Sequence, residues 1–247
     1  MGNLFTYKKK SINNKLNLIN FNSCASSNSI HNKSIFLNFI ESYKNKNIIL
    51  CGQGFRDFDI EELKENSNYY INNELGLLTY TNLPKKEYYS KKFNDQSKFD
   101  SRMYGFIKNK INYFGNQLVI YNTEIISNNL FNNLNLCDEV KKNQIQELIH
   151  DIYKFNCKIN IIFAYIHSYD NKIKKLINFS KFNEIKKYNN DSYIFIYSRK
   201  FIDNSNFNID NFLNNEYKIE LIEENIFNYD DSFPFEIVLK LKKNCKK

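Results

Sequence analysis

Residues 159–166 read Ile-Asn-Ile-Ile-Phe-Ala-Tyr-Ile, an almost unbroken apolar run of strand length. A strand with one wet face alternates apolar and polar residues, whereas a run that is apolar at successive positions must be covered on both faces. Ile48-Ile49-Leu50-Cys51 repeats the pattern. Two such strands demand a layered arrangement, and the expectation is a parallel sheet with helices on both faces. Tyr217–Ile222 and Phe235–Leu241 instead alternate apolar with charged residues, as strands near a sheet edge do.

Between these strands the apolar spacing changes to that of helices. Ile35, Phe36, Phe39, Ile40 and Tyr43 predict a lead-in helix, and Val140, Ile145, Leu148, Ile149 and Ile152 predict a long one over 139–155. Further helices are expected over 57–66, 103–111, 173–179 and 209–213, and further strands over 75–80, 118–121 and 193–197. The 247 residues, 42% of them apolar, suit one domain over 35–247. Residues 1–34, rich in Lys, Asn and Ser, are expected to form a flexible basic N-terminal arm. No internal repeat is visible in the sequence, and no linker suggests a second domain.

The net charge of +8 comes almost entirely from Lys, with Arg only at 56, 102 and 199. Scarcity of Arg argues against a reader of nucleic acid, which uses guanidinium forks, and for a solvated Lys-rich surface. The five cysteines show no C-x-x-C spacing and do not combine with His31, His150 or His167 into a zinc ligand set. Reduced thiols and the lack of a signal peptide give the expectation of a cytoplasmic protein. No apolar stretch reaches the roughly 18 residues of a spanning helix.

Met1-Gly2-Asn3-Leu4-Phe5-Thr6 fits the M-G-x-x-x-[ST] pattern of N-myristoylation at Gly2. Lys8, Lys9 and Lys10 would add the second signal that a single acyl chain needs to hold a membrane.

The pair Gly52 and Gly54 follows the first apolar strand, where ligand-binding loops of doubly wound folds lie. Seven strands, helices between the first six, and a closing pair at Tyr217–Ile222 and Phe235–Leu239 resemble class I S-adenosylmethionine-dependent methyltransferases over residues 35–242. The resemblance implies a Rossmann-like seven-stranded, mostly parallel sheet with an antiparallel C-terminal strand. It implies S-adenosylmethionine as cofactor, cradled by Gly52, Gln53 and Gly54 with Asn82 at the ribose. His167 and Tyr169, after the fourth strand, would then face a protein or small-molecule substrate as catalytic residues. Leu50 and Arg56 depart from the family loop, which has an acidic residue and a third glycine in those places, and Thr81 and Asn82 stand where the second strand of the family ends in an acid. In a second register Val119–Glu124 is the fourth strand, with Glu124 at an acidic position of the protein-lysine methyltransferase branch. The departures give an alternative: a catalytically inactive, N-myristoylated, membrane-associated interaction protein on the same fold.

Overall fold

The computed structural model describes residues 15–22, 29–56, 68–96, 101–113, 115–126, 134–155, 159–166, 183–188, 192–198, 217–226 and 235–243. In chain order the elements are β1 (Lys15–Asn22), α1 (Ser29–Ser42), β2 (Ile48–Gln53), β3 (Tyr69–Asn72), β4 (Leu77–Thr81), β5 (Lys85–Lys92), β6 (Gly105–Tyr113), β7 (Asn116–Ile125), α2 (Leu134–Lys154), β8 (Ile159–Ile166), β9 (Asn183–Tyr188), β10 (Ser192–Ser198), β11 (Tyr217–Ile226) and β12 (Phe235–Lys243). The strands form two six-stranded mixed sheets, ordered β11-β12-β1-β2-β4-β3 and β5-β6-β7-β8-β10-β9.

The two sheets have one plan. Each centres on a single parallel pair, β1 with β2 and β7 with β8, and all other neighbours run antiparallel. In both, a helix joins the parallel pair, a hairpin flanks its first strand, and the next two strands return so that the second of them lies inward. Parallel neighbours need a crossover of this kind, whereas antiparallel ones need only a turn. The structure therefore contains a duplicated topology that the residue pattern does not display.

Each sheet is covered by a helix on one face and by the other sheet on its opposite face. Phe36, Phe39, Ile40 and Tyr43 form the apolar stripe of α1 and bury against Ile19, Phe21, Ile48 and Leu50. Ile145, Leu148, Ile149 and Ile152 of α2 do the same on Val119, Tyr121, Ile162 and Ala164. Residues of the other parity, among them Leu18, Ile49, Ile107, Ile120 and Ile161, are also fully or almost fully buried, on the side where β2 and β4 meet β7, and β1 meets β10. Burial of each such side chain is worth about 1.5–3 kcal/mol.

A Rossmann-like sheet with helices on both faces is thus corrected to two sheets packed on one another, with, among the described residues, one helix on the outer face of each. Continuous apolar runs report two covered faces, but they do not say whether a helix or a second sheet does the covering. Lys15–Asn22, expected within a flexible arm, is instead an interior strand, with Leu16, Leu18, Ile19 and Phe21 buried. The helix expected over 103–111 is β6: Ile107 and Ile111 share a face at helical spacing and equally at strand spacing, and pairing along β5 and β7 settles the matter. The helices expected over 57–66, 173–179 and 209–213 lie outside the described residues.

Between α2 and the sheet lies a small apolar cavity of about 30 Å³, lined by Ile145, Leu148, Ile152, Ile162, Ala164 and Phe195 among others. Ala164→Val should fill it and raise stability by up to about 1 kcal/mol, seen as a later urea midpoint at unchanged slope. Ile162→Ala should enlarge it and cost about 3 kcal/mol. A lower midpoint for Ala164→Val would show that the space is not available to a side chain.

Candidate functional site

Strand direction brings many strand ends to one rim. The carboxyl ends of β1 and β2 coincide with the amino ends of β12 and β4, as Asn20 pairs with Phe235 and Gln53 with Leu77. In the second sheet, Glu124 of β7 pairs with Gly105 of β6, and Tyr165 of β8 with Ser192 of β10. Side-chain bonds show that the two ends form a common edge. In open α/β sheets, the carboxyl ends of parallel strands are the usual place for ligands.

At the centre of this rim is a buried amide network. Gln53 Nε2 donates to Asn20 Oδ1 at 2.9 Å and to Asn122 Oδ1 at 2.7 Å. Asn122 Nδ2 in turn donates to the carbonyls of Gly52 at 3.0 Å and Leu78 at 2.8 Å. Asn20 Nδ2 reaches the Tyr193 carbonyl at 3.4 Å. All three amides are buried, and each of these chains of bonds crosses from one sheet to the other. Gln53 Oε1 is buried with no partner among the described residues.

Beside the network, Arg56 Nη1 bonds Glu124 Oε2 at 2.8 Å, joining the residues after β2 to β7. Arg56 Nη2 donates to the Met103 carbonyl at 3.1 Å, and the guanidinium lies 5.4 Å from the Tyr104 ring centre. Its Nε is buried without a partner among the described residues. A planar guanidinium with its hydration replaced by a carboxylate, a carbonyl and a ring face is held in one orientation.

The glycines expected to cradle a cofactor have structural tasks. Gly52 lies within β2, where an added Cβ would stand 2.4 Å from Phe55 Cε2. Phe55 cannot yield, because its ring is packed against Phe21 and Phe36 at centroid distances of 5.8 and 5.3 Å. Gly54 has φ of 81°, the left-handed region that side chains disfavour, and turns the chain so that Phe55 N reaches the Gly76 carbonyl at 2.9 Å.

Asn82 sits at the other end of β2. Its Oδ1 accepts from Ile48 N at 3.1 Å and its Nδ2 donates to the Lys46 carbonyl at 2.5 Å, so it secures the entry into the strand. The length of β2 separates it from Gln53 and Gly54, so Asn82 does not stand beside them as the expected cofactor site requires. His167, Tyr169, Gly2 and Lys8–Lys10 lie outside the described residues. Cys51, next to Gly52, is a free buried thiol whose pKa burial pushes well up, which keeps it protonated and unreactive at neutral pH.

No protein-family model matches the chain, and no curated protein matches it. Solved structures do. D. rerio TDP2 complexed with a single-strand DNA product is 12% identical, with 92% of this chain and 99% of that one covered at a TM-score of 0.61. An endonuclease/exonuclease/phosphatase from Bacteroides vulgatus is 10% identical over 92% and 99% of the two chains, at 0.62. The human nocturnin catalytic domain with bound sulfate is 13% identical over 92% and 95%, at 0.58. At such identities the likeness establishes the fold, that of endonuclease/exonuclease/phosphatase proteins.

This overturns the methyltransferase reading, together with its S-adenosylmethionine cofactor and the inactive, myristoylated variant built on the same sheet. The fold is that of an endonuclease/exonuclease/phosphatase and not of a methyltransferase, and the neighbours lend no support to acylation or a membrane role. Exclusion of nucleic acid on the scarcity of Arg falls as well, since a protein of this fold holds a DNA strand. No helix among the described residues is long and apolar enough to cross a membrane.

Enzymes of this fold typically employ divalent metal ions. Among the described residues, no group of three His, Cys, Asp or Glu side chains is placed to hold one. Among the described residues at the rim, the buried carboxylate Glu124 bonds a guanidinium through Oε2, and the buried network beside the pair is of neutral amides. Magnesium and its like are held by carboxylate oxygens and water, so this donor set does not fit them. Asn20, Asn122 and the Arg56–Glu124 pair were not singled out as a site from the sequence. The available signal was polar residues inside otherwise apolar strands, Asn20 in Leu-Ile-Asn-Phe and Asn122 in Val-Ile-Tyr-Asn.

Gly52→Ala should cost about 2 kcal/mol through the clash with Phe55, measured by urea unfolding. On a Phe55→Leu background, where the ring is gone, the added cost of Gly52→Ala should be much smaller. An unchanged midpoint for Gly52→Ala alone would show that the Phe55 ring can yield.

Proposed function

We propose that the chain recognises phosphodiesters, with a nucleic-acid strand as ligand, at the rim formed by the carboxyl ends of β1, β2, β7 and β8. The observation that carries this reading is the shared fold with a protein captured with a single-strand DNA product, over 92% of this chain. A net charge of +8 supports it, because Lys-rich surfaces gain affinity for polyanions by releasing counterions. Arg56, fixed at the rim, supplies the group suited to a planar or tetrahedral oxyanion. Nocturnin, of the same fold, holds a sulfate, an anion with the shape of a phosphate. Cys51 and Cys137, buried and not joined in a disulfide, suit a reducing, cytoplasmic setting.

Fluorescence anisotropy with a labelled single-stranded oligodeoxynucleotide tests this directly. Binding is expected at low salt, with log K falling linearly in log salt at about −0.7 per phosphate contacted. Absence of binding at low salt, or an affinity indifferent to salt, would contradict it.

A further inference from the structure

We infer that the cation served by Glu124 is the guanidinium of Arg56 and not a divalent metal ion, so that ligands bind at this rim independently of metal. The first ground is that the place of Arg56 is built for it. Nη1 bonds Glu124 at 2.8 Å, Nη2 bonds the Met103 carbonyl at 3.1 Å, and the ring of Tyr104 lies beneath at 5.4 Å. Gly76 leaves room for the stem, since a Cβ there would stand 2.6 Å from Arg56 Cγ. These are contacts of a fixed side chain, not of one that swings aside to admit an ion.

The second ground is the oxygen inventory. Asn20 Oδ1 and Asn122 Oδ1 both accept from Gln53 Nε2. Among the described residues this leaves Gln53 Oε1, a neutral acceptor, and the second oxygen of Glu124, whose Oε2 already holds Arg56, so a single shared carboxylate serves the rim. Divalent ions of the magnesium and manganese kind need several oxygens, carboxylates first among them, and a charge of two beside a guanidinium is repelled. Arg56 Nε–H, buried and without a partner among the described residues, is by contrast a donor, which no metal ion can use as a ligand.

This deepens the phosphodiester reading and takes its ligand from it, but the metal question is tested separately. Manganese alone, added to the wild-type chain, should leave the melting temperature unchanged and should not broaden the amide resonances of Gln53, Arg56 and Glu124. Broadening at those three residues, or a saturable rise in melting temperature that Glu124→Gln abolishes, overturns the inference. A rise that survives Glu124→Gln places the ion elsewhere and upholds it. The broadening experiment uses no variant, so a Glu124→Gln protein that fails to fold leaves the test intact. At matched ionic strength, oligonucleotide affinity should be no weaker in EDTA than in magnesium, and a loss above about tenfold in EDTA would count against it. If no oligonucleotide binds at all, the phosphodiester reading fails while the manganese result still decides this one.

Discussion

The bond from Gln53 to Asn122 holds the architecture together. Two sheets that each bury apolar residues on both faces could slide over one another, since apolar contact is not directional. Polar groups inside such a seam are costly unless paired, at about 1–3 kcal/mol for each one left unsatisfied. Gln53 spans β1, β2 and β7 through Asn20 and Asn122, and Asn122 returns to the carbonyls of Gly52 and Leu78. Only one relative placement of the sheets satisfies these groups together. The network thereby sets the register between two halves that are otherwise built alike.

The same placement creates the rim. Because each half contributes one parallel pair, the carboxyl ends of four strands meet along one edge, and Arg56 reaches from the first half to Glu124 of the second. Side-chain exposure of 16% for Arg56 and 5% for Glu124 makes this a largely desolvated pair, in which either partner alone would be a buried unpaired charge. The feature that fastens the sheets is therefore continuous with the guanidinium proposed to meet a ligand. Among the described residues the rim offers one carboxylate, already paired with a guanidinium, and three neutral amides, a donor set that does not match that of a magnesium site.

Much of the element list was legible in the residues: β2, β8, β10 and both helices follow from runs and periodicity. What escaped was pairing. Ile159 to Ile166 announces two covered faces, yet a helix and a sheet cover equally well. β1 was hidden because eight strand residues stand between Asn- and Lys-rich flanks, and its burial depends on β12 and β2, which are far away in sequence. β6 was hidden because Ile107 and Ile111 satisfy both periods. At the site, the spacing of Gly52 and Gly54 suggests a ligand loop, but their roles are room for Phe55 and a turn. Gln53 between them lies at the centre of the rim, but as a staple between sheets, and its partners Asn20 and Asn122 are unremarkable in an Asn-rich chain. Asn82 belongs to the opposite end of the strand.

A double-mutant cycle tests most directly whether this seam governs the fold. Urea unfolding of the wild type, Gln53→Ala, Asn122→Ala and the double variant yields the coupling between the two side chains. The account predicts that each single change costs about 2 kcal/mol and that the two interact by about 1–2 kcal/mol. Strictly additive changes, with no coupling beyond error, would contradict it.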